Sequence, residues 1–275
     1  MDDRTRAAAR RALDAVPLEA GFVRVVLDGV VHAPPLGVPA TAWCDRPSAP
    51  RAFHVVHPYG MSLVWGDGVD TAFEDVVAHL RHGAARRRTE WLQIEPRWWG
   101  LDWDGALGAV AAADVDPADP PAVTRHARLA FAHDPAAAPA PAAPRADGWC
   151  VRDATAADFA MRGSVVPGGF WDDAAAFLAY GGGVVVERDG EVGAIAFASY
   201  RWDDRVEIGI ETVEAHRRQG LARVAAAAMV ERVRAAGLVP VWSCREGNVG
   251  SERLALAVGF ARSTRGPYLH LAGTG

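Results

Sequence analysis

The chain has 275 residues, 50% hydrophobic and 23% charged, enough for one large core or two smaller ones. Its net charge of −5 excludes nucleic-acid binding by overall electrostatics, and all 29 of its basic residues are arginine. Three scattered cysteines fit neither a disulfide framework nor a zinc pattern, no apolar run approaches the ~20 residues of a membrane span, and the N-terminus lacks a signal peptide's apolar core, so a cytoplasmic protein without a membrane partner is expected.

In chain order, Arg4–Val16 reads as a helix, Phe22–Val31 and Ser62–Trp65 as strands, Phe73–Leu80 as a helix and Trp91–Ile94 as a strand. Trp98, Trp99 and Trp103 form an aromatic cluster. These elements predict an N-terminal α/β domain over residues 1–133. His54/His57 and His79/His82 each have H-x-x-H spacing but no evident third ligand, so no metal is expected. The arginine-rich run 81–88 reads as a solvated loop. Residues 134–146 alternate Pro and Ala and predict a semi-rigid extended linker. No internal repeat is visible in the letters.

Residues 147–275 predict a second domain. Cys150–Asp153 reads as a strand, followed by a helix through Ala160 and another over Trp171–Tyr180. Val184–Arg188 and Glu191–Tyr200 flank Asp189-Gly190, a hairpin signature. Arg205–Val213 is a strand, Gln219–Ala236 an Ala-rich helix stopped by Gly237, and Val239–Cys244 a strand. Asn248 caps a helix that stops at Gly259, and Phe260 and Tyr268–Leu271 supply the last strand positions. The pattern predicts a mixed α/β sheet.

The chemistry concentrates between Val206 and Ala222. Alternation places Glu207, Gly209 and Glu211 on one face of their strand, with the glycine leaving room for a ligand or a second backbone. An edge strand with a solvated polar face would also carry such a pattern. Arg217, Arg218, Gln219, Gly220, Leu221 and Ala222 then form a turn of donors at a helix start. Orphan N–H groups and the helix dipole there suit a pyrophosphate. Cys244 reads as a small buried apolar residue in preference to an acyl carrier, and Trp171, Trp202 and Trp242 read as core.

The V-R-D-A-T-A-A-D opening, the R-R-Q-G-L-A turn and Asn248 before a helix ending in Gly259-Phe260 resemble the GCN5-related N-acetyltransferase (GNAT) superfamily over Val151–Leu271. More narrowly, G-I-E-T-V-E-A-H-R-R-Q-G-L-A with W-S-C-x-x-x-N-x-x-S-x-x-L-A-x-x-x-G-F resembles the subgroup that includes zwittermicin A N-acetyltransferase. S-L-V-W-G, the acidic helix Thr71–Leu80 and T-E-W-L extend that likeness into the N-terminal half.

The resemblance implies a mostly antiparallel sheet with a splayed parallel strand pair that holds acyl-CoA. A smaller α/β domain is expected in front, as a degenerate transferase-like unit, a substrate lid or a dimerisation element. Ile210 and Thr212 would hold the acetyl carbonyl and pantetheine arm, the 217–222 turn the pyrophosphate, and Asn248 and Ser251 the far end of that arm. Glu207 matches a general-base position, with Glu211 as a second candidate. Two departures stand out. Ala255 occupies the place of a common tyrosine acid, leaving Ser243, Cys244 and Tyr268 as candidates by position. Glu214 replaces a common proline, which predicts a looser turn. The expected protein is an acetyl-CoA-dependent N-acetyltransferase acting on a small amine, as a monomer or homodimer, without nucleic-acid partners. An acyl-CoA-binding regulatory module and a peptide N-acetyltransferase are the alternatives.

Overall fold

The computed structural model describes residues 1–82, 86, 88–134 and 148–273. The first half begins with helices α1 (Asp3–Leu13) and α2 (Gly21–Leu27), then strands β1 (Thr41–Cys44), β2 (Phe53–Val56) and β3 (Met61–Trp65). Helix α3 (Phe73–His82) leads to β4 (Glu90–Ile94), α4 (Trp103–Leu107), β5 (Val110–Ala111) and β6 (Val123–His133). The second half contains β7 (Cys150–Asp153), α5 (Ala174–Ala179), β8 (Gly183–Arg188), β9 (Glu191–Trp202) and β10 (Arg205–Thr212). Helix α6 (Leu221–Ala235), β11 (Val239–Arg245), α7 (Val249–Ala257) and β12 (Phe260–Leu271) complete it. The architecture is mixed α/β, with mostly antiparallel sheet and a few parallel pairs.

The described chain divides into two compact units. One comprises residues 1–32, 38–128 and 265–275, the other 33–37 and 129–264. A single cut at a linker would not produce this division, because β6 and β12 each give residues to both units. The expected linker, residues 134–146, lies outside the described residues except for Asp134, as does most of the 83–87 part of the arginine-rich run.

In the first unit the strand order is β1-β2-β3-β4-β12. Strand β2 is antiparallel to β3, and α3 crosses over so that β4 returns parallel to β3. Val76, Val77 and Leu80 of α3 pack on Leu92, Ile94 and Leu269. The three tryptophans anchor the turns with their indole N–H groups: Trp98 donates to Gly66 O, Trp99 to Ile94 O and Trp103 to Trp98 O, at 2.7–2.8 Å.

One expectation is overturned here. Phe22–Val31 is not a strand. It folds as α2, with Phe22, Val23, Val25 and Leu27 buried and Gly29 terminating it at φ 70°. A short apolar run carries no period that separates a buried strand from a buried helix, so tertiary burial decided.

In the second unit the order is β6-β11-β10-β9-β8-β7. Asp189 and Gly190, both at positive φ, close the β8–β9 hairpin as expected. Strand β9 is antiparallel to β10, and α6 crosses over to β11, parallel to β10. Thus β-β-α-β occurs twice, a repetition the letters do not show. Alanine-rich α6 is a strong helix former, and small side chains at Ala225 and Ala226 bring it close to Val186, Ala194 and Ile208. Gly237 stops it at φ 72°. Two helices are shorter than expected: only the 3₁₀ turn Asp158–Ala160 forms before residue 161, and α5 starts at Ala174, where Asp173 caps the Ala176 N–H. Trp171, Trp202 and Trp242 are buried.

Candidate active site

The site is built where β10 and β11 part. They pair in parallel only at Arg205↔Val239, Val206↔Pro240 and Glu207↔Val241. Beyond Glu207, β10 continues to Thr212 against β9 alone. The backbone of Ile210 to Thr212 therefore has no registered partner on the β11 side, and polar groups there can meet a ligand. A register irregularity at Glu207/Ile208 accompanies the parting, and Ser199 Oγ, in the irregular segment of β9, donates to Glu207 O at 2.9 Å.

The expected alternation of faces holds. Val206 and Ile208 enter the core shared with α6, and Ile210 packs against it. On the other face Glu207 is 5% exposed, and its Oε1 accepts a hydrogen bond from the Ser243 hydroxyl on β11. Gly209 does not leave room for a ligand on this face. A Cβ there would lie 2.7 Å from the Phe197 ring, so the space belongs to the aromatic side chain opposite it. Glu211 is also engaged: its Oε2 accepts the backbone N–H groups of Ser164 and Val165, both at 2.9 Å.

The donor turn takes the form the sequence predicted. After the 3₁₀ turn Glu214–His216, Arg218 and Gly220 both adopt left-handed backbone, at φ 63° and 81°. Gly220 is the N-cap of α6 and supplies no side chain to it. Among the described residues none accepts a hydrogen bond from the backbone N–H groups of 218–222, and the segment from Arg217 to Gly220 is exposed. This is a row of orphan donors at the positive end of a fifteen-residue helix. Leu221 contributes only its backbone, since its side chain is buried in the core.

The turn is not loosened by Glu214. His216 is buried, with Nε2 2.8 Å from Glu191 Oε1 and its ring edge-on to Trp149 at 5.0 Å. Arg217 reaches back to Thr212 O at 3.4 Å and lies 3.7 Å from Glu211.

Asn248 Oδ1 caps α7 by accepting the Ser251 N–H at 3.2 Å, and Ser251 Oγ accepts the Trp242 indole N–H at 3.1 Å. Both residues thus brace the start of α7 against β11. Ala255 is fully buried in the core, as is Cys244 at 6% exposure. Tyr268 belongs to the first unit, where its hydroxyl accepts from Arg128 at 3.3 Å.

Sequence reasoning missed Arg223, one turn into α6. Among the described residues its guanidinium has no partner, and its Nε is buried. A basic residue three positions after the glycine was the available signal. The clamp from Glu211 to Ser164 and Val165 spans about 47 positions of sequence and left no local sign.

The repeated unit provides a contrast. There β3 and β4 stay paired through Val64↔Ile94, and Glu95 N donates to Val64 O, so no opening forms. Its turn is filled from within: Gly66 N donates to Glu95 Oε2, Gly68 N to Arg51 O and Thr71 N to Asp70 Oδ1. Asp67, Asp70, Glu74 and Asp75 add negative charge around it.

An opened parallel pair ending in an uncapped, arginine-flanked helix start agrees with the outcome of sequence comparison, in which residues 151–268 match the model of GNAT acetyltransferases. That match spans 118 of the chain's 275 residues and is a likeness of this region to the GNAT acetyltransferases. No curated protein matches the chain. Among solved structures, the GNAT-like chain resembles a GCN5-related N-acetyltransferase-like protein from Streptococcus suis, with 16% identity, 98% of each chain covered and a TM-score of 0.65. It also resembles a GCN5-related N-acetyltransferase from Kribbella flavida, with 19% identity, 99% of this chain and 95% of that one covered, and a TM-score of 0.53. A tandem GNAT protein from the clavulanic acid biosynthesis pathway is similar at 15% identity, with 94% and 89% covered and a TM-score of 0.54. At these identities the likeness is one of fold. No helix among the described residues is long and apolar enough to cross a membrane.

Proposed function

We propose that the GNAT region transfers an acetyl group from acetyl-CoA to the nitrogen of a small cationic amine. The observation that carries this reading is the strand pair that opens beyond Glu207 and ends at the unsatisfied amides of 218–222. Those amides, with Arg217, Arg218 and Arg223 around them, fit a pyrophosphate. Gly220 and Ala222 keep the approach low in bulk, Gln219 contributes its backbone amide, and the free edge of Ile210–Thr212 suits the amide-rich arm and the acetyl carbonyl. Asn248 and Ser251 stand at the start of α7 for the far end of that arm. The coenzyme supplies an activated thioester.

Glu207 is the proton acceptor in this reading. The acceptor nitrogen first gives up its ammonium proton to water; the freed lone pair bonds to the thioester carbonyl carbon, the C–S bond breaks, and the second proton leaving nitrogen goes to the Glu207 carboxylate. Such a base contributes about 10²–10⁴ in rate. Ser243, bonded to Glu207 on the neighbouring strand, is placed to orient it and to return a proton to the departing thiolate. Glu211 was the second candidate base. We assign it instead to holding residues 164 and 165, because its Oε2 already serves their two backbone amides. The negative charge of this face favours a cationic acceptor, and the likeness to the zwittermicin A N-acetyltransferase subgroup suggests an antibiotic-like amine.

The test is release of coenzyme A thiol from acetyl-CoA against a panel of polyamines, aminoglycosides and peptides. Turnover with small amines supports the reading; turnover with peptides alone redirects it. Saturable acetyl-CoA binding with no turnover on any amine overturns it in favour of a binding module, the reading that the fully buried Ala255 favours.

A further inference from the structure

In the first unit a cavity of about 200 Å³ opens where α3 ends and β4 begins. It lies at the entry ends of β3 and β4, beside Gly60 and Glu90, and not at their exit ends, where a transferase would hold its coenzyme. It is therefore no remnant of an acyl-CoA cleft. Trp43, Val56 and Leu80 give it apolar walls, and His79, Arg86 and Arg88 bring polar groups to it.

A buried hydrogen-bonded chain stands behind these groups. Glu90 Oε1 lies 2.9 Å from His54 Nε2 and accepts from Ser62 Oγ at 2.6 Å, while Oε2 accepts from Arg86 Nε at 3.3 Å. Both carboxylate oxygens are thereby satisfied. Burial pushes the Glu90 carboxyl up, but His54, Ser62 and Arg86 outweigh it and hold it at about 2, so it is ionised. His54 Nδ1 in turn lies 3.0 Å from His79 Nε2. Burial, then the neighbouring His54, push His79 down to about 4, which keeps it neutral.

His79 is fixed at one nitrogen by His54 and stacked on Trp43 at 4.4 Å between centroids. Among the described residues nothing bonds its Nδ1. A satisfied buried polar network holds its members in one arrangement, and this one ends on His79, which lines the cavity. His54 is engaged at both nitrogens, and among the described residues no three His, Cys, Asp or Glu side chains are grouped for a metal. Arg86 is offset by Glu90, which leaves Arg88 as the positive excess of the lining, so a cation is disfavoured and an anion favoured. A hydroxyl, able to donate or accept, suits His79 Nδ1 in either tautomer.

We propose that this cavity binds a small organic monoanion carrying a hydroxyl group, a hydroxycarboxylate with an apolar body. The carboxylate lies toward Arg88, the hydroxyl on His79, and the apolar part against Trp43 and Val56.

The test is calorimetric titration of the full chain with mandelate, with phenylacetate, which lacks the hydroxyl, and with mandelamide, which lacks the charge. Mandelate should saturate below about 10 mM. Phenylacetate should bind about fivefold more weakly and mandelamide about tenfold more weakly. His79→Phe, which keeps a ring against Trp43, should erase the difference between mandelate and phenylacetate. Arg88→Gln, at an exposed position that leaves the core intact, should erase the difference between mandelate and mandelamide. Failure of mandelate to saturate, equal binding of all three probes, or unchanged selectivity in Arg88→Gln overturns the proposal. Acetyl-CoA binding, read separately, is unaffected by either result.

Discussion

The Ser243 hydroxyl donates to the Glu207 carboxylate from the neighbouring strand, just past the last point at which β10 and β11 are paired. The bond ties the base of the opening together and fixes one oxygen of the carboxylate. Glu207→Gln keeps the shape and removes the basic oxygen. It should lower kcat by about 10²–10⁴ while leaving the acetyl-CoA Kd unchanged. Ser243→Ala should lower kcat by a smaller factor, about 3–10. Steady-state kinetics with calorimetric binding of the coenzyme checks both; equal turnover in Glu207→Gln removes it as base.

Gly220 reaches φ 81° with open space where a Cβ would stand, so its constraint is conformational alone. Gly220→Ala should cost about 1–2 kcal/mol, because an L side chain resists left-handed backbone. The cost falls on the geometry of the donor turn, so acetyl-CoA affinity should drop along with the melting temperature. A variant that melts lower yet binds acetyl-CoA as tightly as the parent would separate the turn from the coenzyme.

Glu211 holds residues 164 and 165 by their amides, and a Cβ at Gly163 would press on its Cγ at 2.9 Å. Glu211→Ala strands two backbone donors and should destabilise by about 1–3 kcal/mol. Hydrogen exchange should accelerate at Ser164 and Val165 first. Unchanged exchange there, with turnover lost, would return Glu211 to the proton-transfer role.

The first unit should be acid-sensitive. Burial alone pushes His57 down to about 3 and is the main reason His79 falls to about 4, against 6.5 for the free group. An unfolded chain binds protons at these sites before the folded one does. Stability is therefore full above pH 6.5 and falls as pH drops toward the folded values. Glu90, held at about 2 against 4.5, acts in the same sense at lower pH, with its contribution lost between those values. The unfolding free energy from urea titration should decline from about pH 6.5 downward, by on the order of a few kcal/mol in total. A midpoint that stays flat to pH 4 would show that these groups are not buried in solution.

How much of this was legible depends on the reach of each signal. The donor turn was readable because its parts are contiguous: Arg217 to Ala222 follow an apolar strand and precede an Ala-rich helix. Asn248 and Gly237 were readable because capping is local. The hairpin at Asp189-Gly190 was readable because positive φ restricts the residues that can occupy it. By contrast, Phe22–Val31 has no period to betray a helix, and the tie from Glu211 to residues 164–165 and the chain Glu90–His54–His79 join residues far apart in sequence.

The sequence by itself determined the GNAT-like region, its donor turn and the alternation that sets Glu207 opposite Val206. Each of these follows from neighbours within a strand or a helical turn. Only the tertiary structure decided that β10 and β11 part after Glu207, that Phe197 takes the space beside Gly209, and that the first unit repeats β-β-α-β without opening. Those outcomes depend on which strands pair and for how long. That is settled by packing of whole faces against one another, which no local window of residues encodes.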